Sequence, residues 1–333
     1  MTTLLPAGTD RAQLWQHGAL IPSSTVRILL VVNSFASSVT ARNTVTVHRE
    51  LSREHDVELV ETNRRGHAIR FAQDAARRGL DCVVAFGGDG TLNEVATGVA
   101  GSQTALAVLP GGSTNVFART IGMPNDPIAA TPRLLAGLAT GDIRSIGLGR
   151  VNGRYFCFHT GIGFDAAVVA AVERHASMKR WFGHPLFIWA GLHTWWRGYD
   201  RSTPRFSLRS DDGRDIGGGR FAVVLNTSPY TYLGNRPLNL APTAGLADSL
   251  VIVTFTDLGL GTVFKALRSA LKGSGLGGLH DVEEWSAIDG VTVTAVGDRP
   301  VPFQVDGDHL GDVTSLRLEH VPDAVRLAWP SQR

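Results

Sequence analysis

Apolar positions along this chain fall into two rhythms. From residue 26 to about 145, continuous apolar runs alternate with segments of helical period. "VRILLVVN" (26–33) has the character of a buried, parallel-type strand, and a helical stretch follows it. "DVELVETN" (56–63) gives a second strand and "HAIRFAQDAARRGL" (67–80) an amphipathic helix. "DCVVAF" (81–86) and "LNEVATGVA" (92–100) repeat the pair, as do "ALAVLP" (105–110) and "NVFARTIG" (115–122). Strands alternating with helices predict an open α/β sheet with right-handed crossovers.

Beyond about residue 145 the period changes to two. "YFCFHTG", "RFSLRS", "RFAVVLN", "LVIVTF", "GVTVTAV", "PVPFQVDG" and "SLRLEH" alternate apolar and polar residues and are separated by turn signals such as "DDG". This predicts a β-rich second domain, a sandwich or barrel, interrupted by helices near 164–197 and 261–272. "GGG" (217–219) and "GSGLGG" (273–278) are expected to be loops. The second fits G-x-G-x-x-G but follows a helix rather than a strand, so it is read as a helix end. The expected division is an irregular arm at 1–24, an α/β domain at 25–145 and a β-rich domain at 146–317.

Composition narrows the classes. A length of 333 residues suits about two domains. With 43 % apolar and 19 % charged residues, the chain reads as a soluble globular protein. A formal net charge of +2 gives no reason to expect a nucleic-acid partner. The only lysines are Lys179, Lys265 and Lys272, so the first half cannot supply the lysine of a P-loop. Cys82 and Cys157 lie in apolar runs and are expected to be reduced core residues of a cytoplasmic protein. The opening residues lack the features of a signal peptide, and no run of 18 apolar residues suggests a spanning helix. Eleven histidines show no ligand spacing, and no HExxH, CxxC or G-x-S-x-G occurs.

The candidate chemistry lies where strands end. "GGDGT" (87–91) follows a buried strand and opens a helix. Ligands of open α/β sheets bind beyond the carboxyl ends of strands. Gly87, Gly88 and Gly90 can take positive φ, admit a ligand close to the backbone and offer amides as an anion nest. Asp89 would repel phosphates unless Mg²⁺ lay between them. The alternative is that Asp89 or Thr91 simply caps the following helix. "LPGGSTN" (109–115) repeats the arrangement on the next strand, where Gly111, Gly112, Ser113, Thr114 and Asn115 add donors. There the alternative is capping by Ser113 or Thr114.

These residues resemble the diacylglycerol kinase catalytic-domain family, which includes soluble bacterial lipid kinases, sphingosine kinases and ceramide kinases. "GGDGTLNEVATG" (87–98) is similar to its signature and "PGGSTNVFART" (110–120) to its second nucleotide motif. "TNRRGHA" (62–68), "GIGFDA" (161–166) and "FQVDGD" (303–308) resemble further family segments, and the likeness covers roughly 26–330. It implies a nucleotide-binding α/β domain, a β-sandwich lipid domain and an active site between them. It also implies ATP, Mg²⁺ and phosphorylation of a lipid hydroxyl at a membrane surface. Carried over, Asn33, Thr62, Gly87, Gly88, Asp89, Gly90, Thr91, Gly112, Ser113, Thr114 and Asn115 would hold ATP, with Glu94 supporting the cradle. Asp306 would take the hydroxyl proton, with Asp89 acting at the metal or as a base. Asp165 would reach the lipid's polar end, and Asp89, Asp308 and Asp248 would be metal acids. The segment "AVRLAWP" (324–330), within 318–333, would return to the first domain.

Departures from the family pattern stand beside the likeness. "NSFASS" (33–38) replaces "NPxSGK", Val116 follows Asn115 where many members have Asp, and Gly147 occupies the place of another Asp. The closing Glu is Asp308, and "DSLVI" (248–252) keeps one of two structural-metal acids. The expected substrate is diacylglycerol, converted to phosphatidate; a sphingoid base, a ceramide or another glycerolipid is the alternative. An NAD kinase, which shares the GGDGT turn, and a non-catalytic lipid or nucleotide sensor are further readings. The aromatic, base-flanked segment 179–198 suits either a membrane interface or a core helix pair. Peripheral membrane association is expected, and a homodimer is compatible with the sequence.

Overall fold

The computed structural model describes residues 25–163 and 203–331. The arm at 1–24, the helix near 164–197, Asp165 and the aromatic segment 179–198 lie outside the described residues. The described chain divides into two compact units. One runs to Ile146 and resumes at Val325; the other is Gly147–Ala324.

In the first unit the apolar runs form a parallel sheet. Its strands are β1 (Arg27–Val32), β2 (Asp56–Glu61), β3 (Cys82–Gly87) and β4 (Ala105–Pro110), in the order β2-β1-β3-β4. β3 and β4 are buried at every position, as continuous apolar runs require when helices cover both faces. β2, at the edge, exposes Asp56, Glu58 and Glu61, and such charges discourage pairing with another chain. The helices are α1 (Ala41–Leu51), α2 (His67–Arg77), α3 (Asp89–Val99), α4 (Val116–Thr120) and α5 (Pro127–Thr140). α2 and α3 approach closely at Gly98, where a Cβ would lie 2.5 Å from that of Ala72.

The expected elements omit α5, although its ends carry strong signals. The Asp126 side chain accepts from Ala129 N, Pro127 opens the helix, and Gly141 closes it at φ 64°. α3 begins three residues earlier than the pattern suggests, directly on the glycine turn. Both cysteines are buried and neither is in a disulfide.

The second unit is a sandwich of antiparallel strands. Its strands are β5 (Ile143–Val151), which begins in the first unit, β6 (Arg154–Phe156), β7 (His159–Gly163), β8 (Phe206–Ser210), β9 (Asp215–Gly219) and β10 (Phe221–Leu225). They continue with β11 (Thr231–Leu233), β12 (Arg236–Leu238) and β13 (Leu250–Phe255). After helix α6 (Leu260–Lys272) come β14 (Val282–Ile288), β15 (Gly290–Ala295), β16 (Val301–Val305), β17 (Asp308–Val313) and β18 (Ser315–Ala328). One sheet runs β14-β13-β10-β7-β16-β17. Facing it, the start of β18 pairs with β15, β15 with β8 and β8 with β9.

Alternation decides the core. Val224 and Ile252 join Phe206, Val291 and Leu316 between the sheets. Val223, Val251 and Val253 point the other way, onto α6 and the 240–244 segment. β10 and β13 are therefore apolar on both faces. Two expectations change here. "GGG" (217–219) lies in β9, not in a loop; a Cβ at Gly219 would overlap the Phe206 ring, so glycine lets that ring enter the core. Leu318 and Glu319 pair with Val291 and Gly290 in the second unit, so the returning segment starts at Val325 rather than 318. Leu327 then pairs in parallel with Leu106 of β4.

Candidate functional site

The residues expected to hold a nucleotide gather at the carboxyl ends of β1, β2, β3 and β4, in the loops that follow them, in the last residue of β3 (Gly87) and in the first two turns of α3 (Asp89, Gly90, Thr91 and Glu94). The two glycine turns pack backbone to backbone. Gly111 N donates to Gly87 O at 2.8 Å, and a Cβ on Gly112 would lie 2.9 Å from the Gly88 Cα. None of Gly87, Gly88, Gly90, Gly111 and Gly112 has positive φ. The positive φ that glycine permits is not used here: between the turns, glycine is required because a side chain would separate two backbones that touch. Gly90 differs, since a Cβ there meets nothing within 4 Å.

Each polar residue of the signature ties down a neighbouring loop. Asn33 Nδ2 donates to Thr91 Oγ1 at 2.9 Å, and Asn33 Oδ1 accepts from Phe35 N. Glu94 accepts from Gly66 N at 2.8 Å and Ala68 N at 3.1 Å, satisfying amides at the start of α2. Asp89 accepts from Val116 N at 3.0 Å and Phe117 N at 3.2 Å, so it caps α4 rather than its own helix. Gly88 is the N-cap of α3 and makes no side-chain cap bond, so neither Asp89 nor Thr91 caps that helix. Ser113 and Thr114 do not cap α4 either. Asn115 occupies its N-cap at φ 49°, with its amide bonded to Gly112 N, Gly112 O and Asn125 Oδ1.

Burial sorts these groups. Thr62 and Thr91 are buried; the Thr62 hydroxyl donates to Val32 O, and a Cβ on Gly87 would meet the Thr91 side chain. Gly90 and Ser113 are exposed. No hydrogen bond among the described residues uses the amides of Gly88, Asp89, Gly90, Ser113 or Thr114. Those of Asp89 and Gly90 open α3, where helix geometry offers no internal partner and the dipole favours an anion. Burial pushes the Asp89 carboxyl pKa up, and the Val116 and Phe117 amides pull against that shift. A desolvated acid beside converging amides can hold a phosphate chain and gain from a cation.

In the second unit, "VDGD" is a two-residue hairpin. Val305 pairs with Asp308, and Asp306 and Gly307 take φ 48° and 86°, the both-positive turn that Asp-Gly favours. Gly307 N donates to the buried Gln304 Oε1 at 2.7 Å. The Asp306 carboxylate accepts from Cys157 N at 2.7 Å and from Phe158 N and His159 N at 3.0 Å each. The hairpin tip thereby grips the backbone entering β7. The His159 ring is buried against Phe158 and Tyr230, and burial pushes its pKa down to about 3.

The other expected acids are more dispersed. Asp308 pairs with Arg154 at 3.3 Å. Asp248 acts on His320, whose pKa burial lowers while Asp289, Asp248 and Asp323 raise it. A Cβ at Gly147 would overlap His320 Nε2, so an imidazole fills the space that an aspartate there would need. Among the described residues no three His, Cys, Asp or Glu side chains form a group able to hold a metal ion. Asp165 lies outside the described residues.

Residues 27–151 match the family model of the diacylglycerol kinase catalytic domain. Over that stretch the chain is similar to the family. The family domain thus takes in every nucleotide-side residue named above, from Asn33 to Asn115. A Pseudomonas aeruginosa (PAO1) protein named "Probable lipid kinase YegS-like" is 34 % identical over 208 residues, 58 % of this chain and 66 % of that protein. The match thus spans just under two thirds of that relative's length. A Pseudomonas syringae protein of the same name is 29 % identical over 91 % of this chain and 93 % of its own. Bacillus subtilis "Diacylglycerol kinase" is 44 % identical over 94 residues, 27 % of this chain and 30 % of that one. A solved diacylglycerol kinase structure from Bacillus anthracis shares the fold, with TM-score 0.66 at 20 % identity over 91 % of this chain and 96 % of that one. Among the described residues no helix is long and apolar enough to cross a membrane.

Several residues of the site carry no sequence signal. Asn125 holds Asn115, Ser38 N donates to Gly111 O, and Val39 packs on Gly111. Gln304 is the exception, since a polar residue at an inward strand position hints at a buried acceptor. Phe35, 77 % exposed on the loop after β1, is an aromatic that the motif reading passes over.

Proposed function

We propose that this protein is an ATP-dependent lipid kinase that transfers the γ-phosphoryl group to a lipid hydroxyl, with diacylglycerol the first substrate to test. The carrying observation is the pair of touching glycine turns, whose amides at Gly88, Asp89, Gly90, Ser113 and Thr114 have no other partner among the described residues. Backbone amides that converge at a helix N-terminus suit phosphate oxygens. The family of residues 27–151 and the names of its relatives support the same reading.

Phosphoryl transfer asks for alignment and charge neutralisation more than covalent chemistry. In this proposal the amides align the phosphates, while Asn33, Thr62, Thr91, Glu94 and Asn115 hold the loops that present them. Mg²⁺ commonly binds through one or two carboxylates together with phosphates, so it needs no all-protein cage. Asp89 is the acid that would hold it; when bound, the ion supplies neutralisation of phosphate charge. Asp306 is the proposed acceptor of the hydroxyl proton. Its three amide donors fix the position of the carboxylate.

The test offers labelled ATP and Mg²⁺ with diacylglycerol, a sphingoid base, a ceramide and fractionated membrane lipids in separate arms, and NAD in another. Label in one lipid names the substrate. Label in NAD alone, or nucleotide binding without label in any arm, overturns the proposal.

A further inference from the structure

We propose that helix α6, Leu260–Lys272, docks this protein on an anionic lipid surface. Eight large apolar side chains are exposed among the described residues, and four of them lie on this one helix: Leu260 and Phe264 at 69 %, Leu267 at 45 % and Leu271 at 38 %. Their spacing, i, i+4, i+7 and i+11, sets them in a single stripe along the helix. The helix is inverted relative to ordinary packing. It buries small residues, Thr262, Ala266 and Ala270, and turns its largest apolar ones to solvent.

The charges select the occupant. At about 100° per residue, Arg268, Lys272 and Lys265 form a second row directly beside the apolar stripe. The helix has no acid, and no ion pair within 4 Å holds these three cations among the described residues. The nearby acids lie on the opposite side. Asp257 and Asp281 both accept from the Thr262 hydroxyl, at 3.2 and 2.9 Å, on the buried face. Asp281 also interacts electrostatically with Lys265, which leaves Arg268 and Lys272 as the stronger part of the row. An apolar stripe bordered by basic residues is the pattern of a helix lying in the plane of a membrane interface, its apolar side chains among acyl chains and its cations at anionic headgroups.

The proposal takes its purpose from the lipid-kinase reading, because such an enzyme must meet its substrate at a membrane, but its geometry is independent of that reading. The test measures flotation of the full chain with phosphatidylcholine vesicles, with and without phosphatidylglycerol, at low and high salt. Wild type is expected to float with the anionic vesicles and to be released by salt. Phe264→Glu with Leu267→Glu should weaken this by at least about tenfold. Lys265→Gln, Arg268→Gln and Lys272→Gln together should abolish the preference for anionic over neutral vesicles. Two of the chain's three lysines sit on this helix, so anionic vesicles should also protect them from amine-directed labelling.

All these side chains are exposed, so unchanged melting temperatures and unchanged phosphorylation of lipid in detergent micelles are expected of every variant. Equal flotation of the Phe264/Leu267 variant, or no flotation of wild type, overturns the docking proposal. So does a fall from dimer to monomer in that variant, which would make the stripe a contact between copies. Absence of micellar turnover by wild type would instead sink the kinase reading, leaving flotation unaffected.

Discussion

Asp89 and Asp306 are the two acids on which the chemistry of this protein is proposed to turn, and both spend their oxygens on backbone amides. Asp89 is in the α/β unit, at the start of a helix, and accepts two amides from the start of another. Asp306 is in the β-rich unit, at a hairpin tip with φ 48°, and accepts three amides entering a strand. The contrast shows that a motif acid organises distant backbone in both settings. It also shows that the balance differs. Asp89 is desolvated enough for burial to raise its pKa despite two donors, whereas Asp306 is more fully committed to holding backbone.

Four measurements would break or sharpen that comparison. The largest effect is expected at Asp306. Asp306→Asn should cut lipid phosphorylation by about 10²–10⁴-fold in a label-transfer assay while nucleotide binding persists. Asp306→Ala should in addition destabilise the chain in chemical denaturation by several kcal/mol, since three amides at about 1–3 kcal/mol each lose their acceptor. Near wild-type turnover in the Asn variant would leave Asp306 a structural role alone.

The second effect is one of pH. Burial pushes the His159 pKa down to about 3 from an ordinary value of about 6.5, so between those values the unfolded chain binds the extra proton. Its neutral packing stabilises fully above about pH 6.5, and that contribution is lost as pH falls, at up to about 1.4 kcal/mol per pH unit. His159→Phe should flatten that slope in denaturation curves taken from pH 7 to 4. Asp89 has the opposite sign. Its raised pKa favours the fold at low pH, and the benefit disappears as pH rises through the raised value.

Third, Asp89→Ala should cost about 1–2 kcal/mol through loss of the α4 cap and should weaken nucleotide binding in calorimetry. Asp89→Asn keeps one acceptor oxygen and escapes the burial of charge, so its stability should exceed that of Ala while any metal-dependent binding stays impaired. Last comes the glycine pair. Gly112→Ala forces apart two touching backbones and should cost about 1–3 kcal/mol. Gly90→Ala meets open space, so its stability should stay within about 0.5 kcal/mol. Equal effects at the two positions would remove the argument for paired turns.

Much of the α/β unit was legible because its signals are local. "CVVAF" and "ALAVLP" announce buried strands, and the glycines after them announce the turns. "DP" before and "TG" after residues 127–140 marked helix α5 just as plainly, but its apolar pattern is diluted by alanine and glycine. In the β-rich unit the alternating strands were readable, while β9 was hidden by three successive glycines whose use depends on the Phe206 ring across from them. The family likeness supplied candidate acids without saying what each touches. It could not reveal that His320 fills the space beside Gly147.

The sequence by itself determined many of the strands, where the chain turns on glycine, and which acids stand at those turns, because period and turn preference act over a few residues. Only the tertiary structure decided what those acids hold. Asp89 reaches amides 27 and 28 positions away, and Asp306 amides 147 to 149 positions away. A hydrogen bond needs its partner within about 3 Å, and no local pattern specifies which distant backbone folding will bring there.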